Sequence, residues 1–171
     1  AGFFETVMPR GDGTVQMVRH LVAAAGLIER LYARQSGVLE LAQAVTDAQG
    51  RAVLWRNQGP WCEAPQTERD PNCNATASGR KKLSGLYPLD VQADPKFCEA
   101  LAARPDGKAL LAPFVVVQRN RTGELSAVPY HQAWPEDMAA VAHELAQAAT
   151  ALTDPAEDAL RAYLRAAAQA F

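Results

Sequence analysis

Apolar positions recur at three-and-four spacing near both ends of the chain and lose that rhythm in the middle. From Val15 they fall at Val18, Leu21, Val22, Ala25, Ile28, Leu31 and Tyr32, a stripe that predicts a one-faced helix starting after Asp12 or Thr14. Ser36-Gly37 breaks the pattern, Val38, Leu41, Ala42 and Val45 resume it, and Gly50 is expected to end it. Near the other end, Trp134-Pro135-Glu136-Asp137 opens a helix carried by Met138, Val141, Ala142, Leu145, Ala148, Ala149 and Leu152. Thr153-Asp154-Pro155-Ala156-Glu157 then reads as a capping box with proline at the first helical position. The helix it starts is expected to bury Leu160, Tyr163, Leu164, Ala167 and Phe171, pairing with its predecessor as an antiparallel αα-hairpin.

Residues 51 to 94 carry little periodicity and read as a long loop region punctuated by Gly59-Pro60, Asp70-Pro71, Ser78-Gly79, Tyr87-Pro88 and Asp94-Pro95. Trp55, Trp61 and Tyr87 are the rings available to pin it. Asp94-Pro95 predicts a short helix through Phe97, Cys98 and Leu101, with Gly107 beyond its end. Leu110 to Gln118, the polar turn Arg119 to Gly123, and Glu124 to Tyr130 together predict a β-hairpin, with Pro113 and Pro129 kept to strand ends or an edge. The fold class expected is mainly α (α+β): a helical domain with a long aromatic and proline loop region, a short β-hairpin and a C-terminal αα-hairpin. Phe3 and Phe4, in a segment ahead of the first helix that lacks its own periodicity, must dock somewhere.

At 171 residues one domain is enough, and it would bury roughly 70% of its unfolded surface. A net charge of −2 gives no electrostatic footprint for nucleic acid, and the one basic run, Arg80-Lys81-Lys82, reads as a solvated loop. The longest apolar run, Ala109 to Val117, is about half of what a membrane span needs.

Candidate chemistry is thin. His143-Glu144-Leu145-Ala146-Gln147 has the glutamate of a zinc-protease helix but not its second histidine, so the ordinary reading is a polar helix face. His131 beside Tyr130, with Glu124 on the same hairpin, has the types of a proton-transfer pair, against the plainer role of a surface histidine; His20 has the same standing. Cys98 as a nucleophile would need a base from elsewhere in the fold, and burial as a small apolar residue is the simpler reading. Cys62 and Cys73, eleven apart, could close a small disulfide loop in an exported compartment or remain free thiols. Zinc binding by the three cysteines lacks a close pair and a fourth ligand.

Three rigid aromatic signals remain: Arg56-Asn57-Gln58-Gly59-Pro60-Trp61, Ser84-Gly85-Leu86-Tyr87-Pro88 and Ala127-Val128-Pro129-Tyr130. An aromatic beside a backbone-fixing proline is costly in a loop unless the ring is buried or meets a partner. In that order, with Glu124-Leu125-Ser126 leading into the third signal and the leucine and alanine helices after it, the series resembles the N-terminal region of the dipeptidyl peptidase III-like zinc metallopeptidases, over about residues 20 to 171.

That resemblance implies a single helical domain over residues 1–171, the N-terminal part of a longer protein that is secreted or periplasmic, with the cytoplasm as the alternative. Its zinc and catalytic residues would lie outside this chain. The partners implied are the remainder of the same protein or a second chain, with peptide as a further possibility. Trp61, Tyr87 and Tyr130 are then substrate-binding candidates lining a cleft wall, while a plain loop core is the competing account of the same rings. The alternative to the whole assignment is a free-standing helical protein-binding module without enzymatic activity.

Overall fold

The computed structural model describes residues 13–68, 70, 72–75 and 83–171. The expected roles of Phe3, Phe4 and Arg80-Lys81-Lys82 lie outside the described residues. The architecture is mainly α, with one two-stranded antiparallel hairpin and a C-terminal helix pair. Packing divides it into two units, residues 13–31 with 130–171, and residues 32–129.

The first unit comprises most of α1 (Gly13–Gln35) together with α6 (Tyr130–Ala133), α7 (Pro135–Ala151) and α8 (Asp158–Ala170). Its core joins Met17, Ala24 and Leu31 of α1 to Val141, Leu145, Ala148 and Ala149 of α7, with Leu152 and Leu164 closing it. Each large apolar side chain removed from water here contributes about 1.5–3 kcal/mol. Of the expected α1 stripe, Val15 and Leu31 are buried and Val18 and Leu21 pack against this core, while Val22, Ile28 and Tyr32 stay exposed; Met17 and Ala24 are buried in addition. On α8 Leu164 is buried as expected, with Ala167, Ala168 and Phe171 packed alongside, whereas Leu160 and Tyr163 of the expected stripe are 39% and 68% exposed.

Asp154 caps the last helix through a short 3-10 turn, Pro155–Glu157, its Oδ1 accepting from the Ala156 amide at 2.9 Å. The amide that is capped is two residues on, because the first turn is 3-10 and tighter than α.

In the second unit α2 (Val38–Ala42) follows Gly37, whose φ of 70° ends α1 in the left-handed region that glycine adopts without cost. Gly50 does not end the helical run as expected. A new helix, α3 (Ala48–Asn57), starts at Asp47, whose Oδ1 accepts from the Gly50 amide at 2.6 Å. Gly50 is in its first turn because a Cβ there would stand 2.8 Å from both Val45 Cγ1 and Asp47 Oδ2. Residues 51–57 and Trp55 therefore belong to a helix and not to the loop region. Ala33, Val38, Leu41, Val45, Leu54 and Ala75 form the core beneath.

A 3-10 turn at Val91–Ala93 precedes α4 (Phe97–Ala102), which begins after Asp94 Oδ1 has taken the Lys96 amide at 2.8 Å. Gly107 starts α5 (Gly107–Leu110) where a spacer was expected, and Leu110 belongs to that helix and not to a strand. A Cβ on Gly107 would run into the Leu101 carbonyl, so the two short helices turn tightly against each other. The hairpin is β1 (Val115–Arg119) with β2 (Leu125–Pro129), in register Val117 to Ala127. Pro113 lies before β1 and Pro129 ends β2, the places where a missing donor does least harm. Leu101, Leu110 and Val117 form the third core cluster, with Tyr87, Phe97 and Leu125 against it.

Candidate functional site

The Ser84-Gly85-Leu86-Tyr87-Pro88 segment is held against the last turn of α1 by main-chain contact. Gly85 donates to the Gln35 carbonyl at 3.0 Å, and Ser84 Oγ donates to the same oxygen at 3.3 Å. A Cβ on Gly85 would fall inside the van der Waals envelope of the Arg34 carbonyl, so only glycine permits this approach. Gln92, 3% exposed, fixes the segment from the other side. Its Oε1 accepts from the Ser84 amide at 2.7 Å, and its Nε2 donates to the carbonyls of Ser84 at 2.8 Å and Tyr87 at 2.7 Å. A buried carboxamide with its hydrogen-bonding groups engaged turns an irregular loop into a fixed surface. On the hairpin side, the Val117 amide donates to the Leu86 carbonyl at 2.8 Å.

The result is an open cleft of about 370 Å³ bounded by Tyr32, Gln35, Ser36, Leu83, Leu86 and Phe97. Its walls are mainly apolar, suited to an aliphatic or aromatic side chain. A second, polar depression of about 500 Å³ lies among Arg104, Asp106, Arg119 and Glu124. There Arg104 pairs with Asp106 at 2.8 Å and Arg119 pairs with Asp90, so the cations and carboxylates largely neutralise one another. The hydrogen bond from Arg119 holds the Asp90 carboxyl below its usual range, and that from Arg104 does the same for Asp106. Glu124 is lowered chiefly by the hydroxyl of Thr122 and the amide of Asn120.

The three ring candidates have separate surroundings. Trp61 is half-buried and forms an antiparallel bridge with Asn74, next to a disulfide between Cys62 and Cys73. Tyr87 meets the Phe97 ring edge-on with centroids 5.2 Å apart; burial first, and the Cys98 thiol second, push its phenol above the ordinary range. Tyr130 belongs to the first unit and lies 4.7 Å from the Trp134 ring, centroid to centroid. Cys98 is a free, exposed thiol, not a buried apolar residue, because α4 turns that face to solvent.

His143 is exposed, while Glu144 is hydrogen-bonded to His20 at 2.7 Å, which leaves the pair as part of a helix–helix contact. His131 is exposed and approaches Gln132 at 3.4 Å. Among the described residues no group of three or more His, Cys, Asp and Glu side chains is placed to hold a metal ion. Among them, no helix is long and apolar enough to cross a membrane.

Sequence reasoning missed Gln92, Phe97 and Tyr32 as cleft residues. Gln92 carried no pattern, since a single glutamine in a polar stretch does not announce burial. In the sequence Phe97 is only a position of the short helix after Asp94-Pro95, and Tyr32 only the end of an apolar stripe.

No family model matches the sequence, and no curated protein matches it. The fold is similar to the structure of DPP III from Caldithrix abyssi, with a TM-score of 0.64 at 23% sequence identity over 92% of this chain. The chain spans 30% of the length of that protein. The likeness establishes a shared fold for this region.

Proposed function

We propose that this chain is a non-catalytic scaffold and cleft-wall region at the N-terminal side of a dipeptidyl peptidase III-like zinc metallopeptidase. The zinc, its ligands and the general base are supplied by residues outside this chain. Trp61 and Tyr87, on their proline-stiffened segments, contribute wall surface to an extended peptide, and Tyr130 is a separate candidate within the first unit. The observation that carries this reading is the fold likeness running over 92% of the chain while spanning only 30% of a peptidase. The Cys62–Cys73 disulfide supports a secreted or periplasmic setting, where such bonds persist.

The test is the complete reading frame and its product. A downstream helix with two histidines, bound zinc, and aminopeptidase-type activity that this chain alone lacks are expected. Replacing Tyr87 by alanine in that product should raise KM with little change in kcat. A reading frame without a two-histidine helix rejects the assignment.

A second reading, a protein-binding module, is favoured by the exposed Leu160 and Tyr163 on one face of α8. It predicts that the same reading frame carries no zinc helix, so one observation separates the two.

A further inference from the structure

The Cys62–Cys73 disulfide is chemically asymmetric. Cys62 is 7% exposed, and Asn57 Nδ2 stands 3.6 Å from its Sγ as a hydrogen-bond donor. The same Nδ2 is anchored by donating to the Val53 carbonyl at 2.8 Å, one turn back along α3, so the donor is held in place from behind. Cys73 is only half-buried. Thiol–disulfide exchange is fastest where the attacked sulfur is accessible and the departing thiolate is stabilised, and here those two conditions fall on different cysteines.

We propose that Cys73 is a modification site for small monothiols such as glutathione, with Cys62 as the leaving group. The incoming thiolate attacks Cys73 Sγ. The S–S bond breaks, its electron pair stays on Cys62 Sγ, and Asn57 donates to the thiolate so formed. A mixed disulfide is left on Cys73. A second thiolate attacking the external sulfur of that mixed disulfide releases oxidised thiol and a Cys73 thiolate, so two thiols supply the two electrons of the complete reduction.

The opening step bears on the Gly-Pro-Trp turn. The disulfide sits within a short antiparallel ladder in which the Cys62 amide donates to the Cys73 carbonyl at 3.0 Å and the Ala75 amide to the Pro60 carbonyl at 2.7 Å. With the sulfur bridge open, these main-chain contacts and the Trp61–Asn74 bridge still hold the turn.

The test uses the oxidised chain carrying Cys98→Ser, which removes the exposed third thiol. A short glutathione pulse, acid quench, denaturation, alkylation of free thiols and peptide mass analysis should find glutathione on Cys73 and the alkyl group on Cys62. Glutathione mainly on Cys62, or equally on both, overturns the proposal. In Asn57→Ala the first exchange should slow roughly five-fold, the effect of one modest hydrogen bond; an unchanged rate in a variant with unchanged circular dichroism removes Asn57 from it.

Discussion

Glu144 Oε2 lies 2.7 Å from His20 Nδ1, joining α7 to α1 across 124 residues of sequence. Both side chains are partly shielded, at 33% and 24% exposure for His20 and Glu144. The contact gives the His143-Glu144 dipeptide an ordinary role: its acid ties two helices together beside the Met17, Val141 and Leu145 core. Replacing Glu144 by alanine should cost about 1 kcal/mol, since the pair is only partly removed from solvent. Glu144→Gln keeps an acceptor for a protonated Nδ1 and should cost less. Urea denaturation of the two variants checks this, and equal losses would show that the hydrogen bond is not what matters.

Gln92 ties the cleft wall together through hydrogen bonds to the Ser84 amide and to the carbonyls of Ser84 and Tyr87. Leucine at this position has a similar volume but leaves the Ser84 amide and the carbonyls of Ser84 and Tyr87 without the partners described above. Orphaned buried main-chain groups cost about 1–3 kcal/mol each, partly recovered where water enters, so Gln92→Leu should destabilise the chain by about 2–4 kcal/mol. Chemical denaturation measures the loss. A variant as stable as the parent would mean the segment is held mainly through Gly85 and Gln35.

Gly50 presents a conflict between local propensity and packing. Alanine is better than glycine in a helix by about 1 kcal/mol. At this site, however, its Cβ would press on Val45 Cγ1 at 2.8 Å and on the Ala75 carbonyl at 3.0 Å. Packing should win, making Gly50→Ala a net loss of about 1–2 kcal/mol. Asp47→Ala, which removes the cap and relieves part of the crowding, should cost about 1 kcal/mol. Thermal melts of both variants decide it; a raised Tm for Gly50→Ala would place propensity above packing.

The same region explains what was legible in the sequence. The C-terminal helices could be read because their apolar spacing and the Asp154-Pro155 cap are local signals, fixed by residues within one turn of each other. The β-hairpin could be read for the same reason, with the Asn120 to Gly123 turn between two apolar runs. Gly50 could not: whether glycine ends a helix or sits inside one depends on Val45 and Ala75, which only the fold brings beside it. Which members of the apolar stripes on α1 and α8 are covered was hidden likewise: Leu31 and Leu164 are buried as expected, while Ile28, Leu160 and Tyr163 of the same stripes stay exposed, and only the partner selects among them. The three aromatic segments were visible as rigid features, but the cleft depends on Gln92, whose burial no sequence pattern marks.

The Asp90–Arg119 pair should be visible by its titration. Its hydrogen bond lowers the Asp90 pKa by more than partial desolvation raises it. A lowered carboxyl stabilises the folded state fully above its unfolded value of about 3.9, and the contribution is lost as the pH falls through the lower folded value. Carboxyl-carbon NMR of the parent and of Arg119→Gln should give a lower Asp90 midpoint in the parent. Coincident midpoints would show that the arginine does not hold the carboxylate in solution.

Gln58 should be improved by removal of its side chain. It ends α3 with φ 48° and ψ 41°, a left-handed conformation that costs a residue with a Cβ about 1 kcal/mol. Its Oε1 is buried with no hydrogen-bond partner among the described residues, although its Nε2 reaches the Trp55 carbonyl at 3.1 Å. Glycine would relieve the backbone and remove the orphaned oxygen. It would give up that one exposed hydrogen bond and add freedom to the unfolded chain, so the net gain should be about 0.5–1 kcal/mol. Because the disulfide loop begins four residues later, the comparison belongs in the oxidised protein. A higher Tm for Gln58→Gly is the expected result; a lower one would mean that the buried oxygen is satisfied in solution and that the side chain secures the start of the Gly-Pro-Trp turn.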